Sequence, residues 1–343
     1  MQKRADVGMP MTPVSAQKAC SNWAEANSRE HHRCRLTLIR SAHGPAAPLA
    51  PMITADELQA FDLLIWLGTG QLAASRCGCS QPTISRQTRQ VTSTLAINLR
   101  RRHGEWEIHG DTLLLALERQ LHQLFRLNGR APLRLEASCV AGPLLANPLP
   151  EGWIGGRFDH LVPATPLRFL RERVIDAWIT SSLIDLPADI HADCRVVPLT
   201  SGPCWLVASP DHPLAGLSGL RRSDLQAFPS VALHGNGFAV TAERLQAQGL
   251  WRDPKRLERF DHDQLEGRSS DGRTLGYATP QRLSLSSTPL QRLDWDLGIE
   301  RGEALVMRRD VAEHGAMAAL QEELRCRAGL LCQRLPELTA QAN

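Results

Sequence analysis

The chain has 343 residues, 43% hydrophobic and 22% charged, with a formal net charge of +3. That is room for two or three ordinary hydrophobic cores and no global argument for a nucleic-acid partner. No run approaches the roughly 18–20 apolar residues a membrane helix needs, and no apolar h-region of a signal peptide opens the chain, so no membrane partner is expected and the protein reads as cytoplasmic. The cysteines, nine in number and irregularly spaced, argue against a disulfide framework and suit a reducing compartment.

Residues 1–51 carry Pro10, Pro13, Pro45, Pro48 and Pro51 without sustained apolar periodicity and read as a disordered leader. Patterned sequence starts after Met52, which is the expected true start, a real basic tail being the alternative. Thr54-Ala55-Asp56-Glu57 has the form of a capping box, and Leu58, Phe61 and Ile65 follow on one helical face. Gly68 and Gly70 break that helix, a short one follows over about Gln71 to Arg76, and Cys77-Gly78-Cys79 makes a tight turn. Ser80 then caps a longer helix with Pro82 in its first turn. Ile84, Thr88, Val91 and Leu95 form its buried stripe, and Pro82, Arg86, Arg89, Gln90 and Ser93 fall opposite. Two helices joined by a glycine turn, the second basic and amide-rich outside, are what major-groove recognition requires. From Arg76 to Arg102 there are six arginines and no acidic residue. Residues 100–110 read as a two-stranded wing. Leu114, Leu117, Leu121 and Leu124 then recur at the spacing of a short coiled-coil seam, or of one more core helix.

Beyond Asn128-Gly129 short apolar runs (133–139, 174–180, 195–199, 204–208, 230–233, 274–278) alternate with helical stretches (166–173, 241–249, 312–326). That alternation predicts an α/β body with largely parallel sheets.

The segment Thr69–Arg102 resembles the LysR-type transcriptional regulators, through Ala73-Ala74, the run Ser80-Gln81-Pro82-Thr83-Ile84-Ser85-Arg86-Gln87, and Arg89, Leu95, Leu99 and Arg102. A second matching block is Trp205-Leu206-Val207-Ala208-Ser209-Pro210-Asp211-His212-Pro213-Leu214-Ala215, with weaker echoes at 173–179 and 276–280. The resemblance runs from about Met52 to Cys326. It implies a fold of α plus α/β type: a winged helix-turn-helix at 52–110, a linker and dimerisation helix at 111–130, and a two-subdomain effector domain like a periplasmic binding protein. Subdomain I is expected at 131–208 with 281–330, and subdomain II at 209–280. It also implies double-stranded DNA as a partner, homodimers often assembled into tetramers, and a small-molecule effector in the cleft, with no cofactor. Gly70, Cys77, Thr92, Thr94 and Arg100 depart from the family pattern, as does the proline-rich stretch from Gly142 to Pro150.

Arginine bonds guanine bidentately and glutamine bonds adenine, so Gln81, Pro82, Thr83, Arg86 and Gln90 are the candidates for base contact. Arg89, Arg100, Arg101 and Arg102 suit phosphate, and Ser80 and Ser85 suit helix capping or phosphate. Effector candidates are hydroxyls beyond strand ends, where open sheets bind ligands: Ser138 and the run Thr180, Ser181 and Ser182, with Thr200, Ser201 and His234 behind them. The competing role for these is to cap the next helix. No catalytic or metal site is expected. His31-His32-Arg33-Cys34 lacks regular partners, Cys77-Gly78-Cys79 lacks C-x-x-C spacing, and no phosphate loop, H-E-x-x-H or G-x-S-x-G occurs. A regulator that binds DNA without an effector, and a ligand-binding module without DNA function, stay open as alternatives.

Overall fold

The structure, a computed structural model, describes residues 53–233, 236–252, 254, 259–260, 271–287 and 289–341. The leader, Met52, the His31–Cys34 cluster and His234 lie outside the described residues.

Thr54 opens the first helix, α1 (Ala55–Leu67), with both halves of the capping box made: Glu57 N–H to Thr54 Oγ1 at 3.3 Å and Thr54 N–H to Glu57 Oε2 at 2.9 Å. Gly68, left-handed at φ 79°, ends it. Thr69 caps α2 (Gly70–Cys77), Gly78 closes it in the same conformation, and Ser80 caps α3 (Gln81–Thr94). Strands β1 (Asn98–Arg102) and β2 (Glu105–His109) pair antiparallel across His103-Gly104, where both φ angles are positive, as a two-residue hairpin turn demands. The chain then enters α4 (Leu113–Leu127).

The body holds two sheets. The first contains β3 (Leu133–Ala137), β4 (Trp153–Gly155), β5 (Ala177–Thr180), β6 (Cys194–Pro198) and β10 (Ala304–Arg308), in the order β4-β3-β5-β10-β6. In the second, β7 (Thr200–Ala208) pairs with β8 (Gly276–Ala278), β9 (Gln291–Arg301) and β11 (Thr339–Ala340). Helix α5 (Ala164–Arg171) packs on the first sheet. The short α6 (Ile190–Asp193) leads into β6, and α7 (Arg222–Gln226), α8 (Ala239–Gln246) and α9 (Pro280–Leu285) belong to the stretch between β7 and β9. Helix α10 (Gly315–Arg334) returns to cover the first sheet.

The expectation of largely parallel sheets is corrected. Only β3 runs parallel to its neighbours β4 and β5, whereas β10 is antiparallel to β5 and β6, and β7 is antiparallel to β8, β9 and β11. The chain leaves the first sheet after β6 and re-enters through β9, so β10 arrives head-to-tail against β5. The two passages between sheets touch at Gly302, where an added Cβ would sit 1.9 Å from the Thr200 carbonyl oxygen, so only glycine fits.

Helix α1 is apolar nearly all round and buried nearly all round, as such a helix must be. Its Phe61, Ile65 and Trp66 share one core with Ile84 and Val91 of α3 and with Leu167, Phe169, Leu170 and Trp178 of the first lobe. Burying each such side chain contributes roughly 1.5–3 kcal/mol. Among these apolar residues lies Asp62, 1% exposed. It accepts from Arg119 Nε of α4 at 2.9 Å and from Arg134 Nη1 of β3 at 3.2 Å. Replacing Asp62 with alanine leaves the buried Arg134 guanidinium without a carboxylate partner among the described residues, and leaves Arg119 with Glu172 alone, 3.0 Å from its Nη1. Urea denaturation of Asp62→Ala is expected to show a loss of about 3–5 kcal/mol; a change below about 1 kcal/mol would show that this contact does not hold the junction.

Candidate functional site

Helix α3 sinks Ile84 and Val91 into the core and leaves Gln81, Pro82, Ser85, Arg86 and Arg89 exposed. Thr83 is half-buried and its Oγ1 lies 3.0 Å from Ser80 Oγ, which also accepts from the Thr83 N–H at 3.4 Å; Ser80 therefore serves as the cap. Gln90 is half-buried and donates to Thr94 Oγ1 at 3.3 Å. In the hairpin, Arg100, Arg101 and Arg102 are all exposed. Arg101 lies over the Trp106 ring at 5.8 Å and donates to Gly104 O at 3.2 Å, so Trp106 orients it. Neither Arg86, Arg89, Arg100 nor Arg102 forms an ion pair with a described residue. Such a set of unneutralised cations on a helix and an adjoining hairpin is an electrostatic footprint for phosphates.

A cleft of about 210 Å³ opens between the two lobes. Phe238, Trp251, Phe260 and Tyr277 give it aromatic walls, and Ser138, Ser181 and Ser182 line it from the ends of β3 and β5. Ser138 Oγ and Ser181 Oγ are 2.6 Å apart. The other hydroxyl candidates face elsewhere. Thr180 is buried and its Oγ1 accepts from the Ser182 N–H, Thr200 is bonded to Glu303, and Ser201 lies 3.4 Å from Glu300 in the β7–β11 edge. Alternation along β5 turns Thr180 away from the cleft that Ser181 lines.

Several cleft residues carry chemistry that the sequence reading passed over: His160, Arg282, Arg301 and Glu303. His160 is buried with neither ring nitrogen hydrogen-bonded among the described residues, and its Nε2 is 3.9 Å from Glu136 Oε2. Glu136 accepts from Trp66 Nε1 at 2.6 Å and from the N–H groups of Ala137 and Phe158 at 3.0 and 3.2 Å. Burial pushes the Glu136 carboxyl up to about 7 against the pull of these donors. Burial, reinforced by Arg259, Arg157 and Arg168, holds His160 well below the usual imidazole value. The cleft wall thus adjoins a carboxyl bonded directly to α1. A second link runs beside it: Arg259 donates to Glu105 of the hairpin at 2.9 Å and to Asp159 at 2.5 Å. One signal was present in the sequence, since Arg134 and Glu136 are charged residues on a strand buried along its whole length.

A three-helix unit with a basic face and a hairpin is joined through one long helix to a two-lobed α/β body around a cleft. No family model matches the chain. A probable nitrogen assimilation transcriptional activator of Synechococcus elongatus is 28% identical over 215 residues, covering 57% of this chain and 69% of the relative. Full-length OxyR from Pseudomonas aeruginosa superposes with a TM-score of 0.50 at 17% identity, covering 85% of this chain and 100% of that one. CbnR, a LysR family transcriptional regulator, gives a TM-score of 0.45 at 16% identity over 79% of this chain and 98% of its own. The chain is thus similar in part of its sequence to a transcriptional activator, and its fold is similar to that of full-length OxyR.

Glu136 and His160 pull stability in opposite directions with pH. A carboxyl raised on folding contributes stability that is full below about pH 4.5 and lost as pH rises through about 7, whereas a depressed histidine contributes above its ordinary value and loses that contribution on acidification. The difference between wild type and Glu136→Gln isolates the first. The wild type's advantage is expected to be greatest near pH 4.5 and to shrink toward pH 7 in parallel urea titrations; an advantage that grows with pH would show Glu136 to be ionised throughout.

Proposed function

We propose that the chain binds double-stranded DNA as a dimer through a winged helix-turn-helix formed by α1–α3 and the β1–β2 hairpin, and that a small molecule in the cleft modulates this binding. The observation that carries the reading is the outer face of α3, where exposed Gln81, Ser85, Arg86 and Arg89 stand without ion-pair partners among the described residues. Gln81, Pro82, Thr83, Arg86 and Gln90 take the base edges. Ser80, Ser85, Arg89 and Arg100–Arg102 take phosphates, releasing counterions that make binding steeply salt-dependent.

Dimerisation is supported by α4. Its inner face buries Leu115, Arg119, Gln123, Arg126 and Leu127, while Leu113, Leu114, Leu117, Leu121, Leu124 and Phe125 stay 43–64% exposed along the other side. A contiguous apolar stripe of this kind marks an interaction site. The modulation is supported by the continuous path from His160 in the cleft to Glu136 and on to Trp66 of α1. A ligand that binds two arrangements of the lobes unequally shifts the population that presents α3.

Arg86→Ala is expected to lose about 1–3 kcal/mol of discrimination at one operator position, while Arg89→Ala weakens all sequences alike and lowers the salt slope by about one. Fluorescence anisotropy over a salt series with the fragment upstream of the chain's own gene measures both. Wild type that binds no fragment above non-specific levels overturns the DNA reading. In sedimentation equilibrium, the double variant Leu117→Glu, Leu121→Glu is expected to be monomeric where wild type is dimeric; an unchanged dimer places the interface elsewhere.

A further inference from the structure

The chemistry of the cleft goes further than the presence of a ligand, on the reading that the cleft is the effector site. Two charged residues line it two positions apart where the chain passes between lobes, Arg301 and Glu303. Glu303 is 2% exposed, yet it makes no ion pair with any described residue. Its carboxylate is held only by uncharged donors: Thr200 Oγ1, Gln281 Nε2 at 2.8 Å and Ser181 Oγ at 3.2 Å. A buried carboxylate without a cation is costly, and burial accordingly raises its proton affinity. The adjoining Gln281 offers a further acceptor, Oε1, buried with no hydrogen-bond donor among the described residues.

Arg301 has the complementary deficit. Its Nη2 donates to Thr241 Oγ1 at 2.7 Å and lies 3.3 Å from Asp185 Oδ2, but its Nε is shut from solvent with no acceptor among the described residues. Gly302 between them cannot be replaced, because the Thr200 carbonyl oxygen occupies the space of any Cβ. The spacing of the guanidinium and the carboxylate is therefore fixed by backbone crossing. Across from this pair the wall is apolar and aromatic, with Phe238 and Trp251 at 6.0 Å and Trp251 and Tyr277 at 5.9 Å between ring centroids.

We infer that the cleft recognises a free α-amino acid with an apolar or aromatic side chain, the ammonium group at Glu303, the carboxylate at Arg301 and the side chain against Phe238, Trp251 and Tyr277. An ammonium group brings three N–H donors to a site rich in acceptors, and aromatic faces favour a cation beside them. A carboxylate accepts the unmade guanidinium bond. A singly charged ligand would leave either Glu303 without a cation or the Arg301 Nε without an acceptor, which is the basis of discrimination.

The test uses the full chain and three probes of matched shape: L-phenylalanine, 3-phenylpropanoate and phenethylamine, with L-leucine, 4-methylpentanoate and 3-methylbutylamine as a second set. Calorimetric titration is expected to show binding of at least one of the two amino acids, with each singly charged analogue weaker by about tenfold or more. In Glu303→Gln the amino acid is expected to lose its advantage over the deaminated acid, which a purely structural clamp would not cause. If Glu303→Gln unfolds, the wild-type series decides alone. Binding of the acid or the amine as tight as the amino acid overturns the inference, as does heat from none of the amino acids. Anisotropy with DNA on the same samples separates the two levels: intact DNA binding with no amino-acid response sinks this inference alone, and lost DNA binding sinks the regulator reading.

Discussion

Asp62 places one negative charge between Arg119 and Arg134, and three parts of the chain have to arrive together for that arrangement to exist. Asp62 belongs to α1, Arg119 to α4 and Arg134 to β3. Removing each ion from water costs several kcal/mol, recovered only when the geometry is right. A second buried carboxylate extends the arrangement: Asp176 takes Arg126 at 2.8 Å, the Arg134 N–H at 2.9 Å and Gln123 Nε2 at 3.1 Å. Arg134, between the two acids and also donating to Val174 O, is pulled down to about 10 by burial and by Arg126. An apolar junction of equal volume would be as stable. The ionic one accepts a single orientation of the helical unit on the first lobe, because any rotation leaves a charge unpaired.

That rigidity decides how a ligand signal could travel. Helix α3 shares its core with α1, and α1 is locked to the first lobe by Asp62 and by the Trp66–Glu136 bond. The helical unit and the first lobe therefore move as one body on the proposed function. The second lobe meets the first through two short passages of chain, through Asp185, which accepts from Thr241 N–H at 2.9 Å and Thr241 Oγ1 at 2.6 Å, and through Arg259. Arg259 is bonded at once to Glu105 of the hairpin and to Asp159 of the first lobe. On the proposed function these are the bonds that a change in the cleft would rearrange, since discrete ion pairs suit two-state switching.

The helical unit was legible because its signals are local. The capping box at Thr54, the Gly68 and Gly78 stops, the Ser80 cap with Pro82, and the Ile84–Val91 stripe all act within eight residues or fewer, and each is found in the structure. The body was read less well. Strand β9, eleven residues long, alternates buried Leu293, Leu297 and Ile299 with charged neighbours, a period-2 pattern that its Arg and Asp content masked. The antiparallel pairing of β10 depends on the route of the chain between lobes, which no local pattern encodes. Ser181 lines the cleft whereas Thr180 does not, because one residue of register separates the two faces of a strand, while Thr200 and Ser201 are bonded to Glu303 and Glu300. Glu136, Glu303 and Arg301 are bonded to side chains as far as 70, 122 and 116 positions away in sequence, so their surroundings emerge only when the chain is folded. Even so, Asp62 within the apolar run Phe61–Leu67 and Glu136 within Leu133–Ala137 were visible misfits. A charge inside an otherwise buried element is worth treating as a site from the start.

Buried polar atoms in folded proteins are nearly always hydrogen-bonded, so those that are not carry information. Among the described residues, both nitrogens of His160, Arg301 Nε and Gln281 Oε1 are such atoms, and all belong to the cleft wall or to a residue bonded to Glu303. The junction at Asp62 is by contrast almost fully paired, with Arg119 Nη2 as its exception. The difference follows from what each region has to do. A junction that fixes orientation gains from complete pairing, since every bond made removes an alternative. A recognition surface gains from donors and acceptors left for the ligand, at a standing cost in stability that the rest of the fold offsets. Polar groups cannot be buried and left unpaired at random without loss of the fold. Their concentration where the two lobes meet, beside an imidazole one step from α1, ties the proposed recognition site to the helical unit that carries α3.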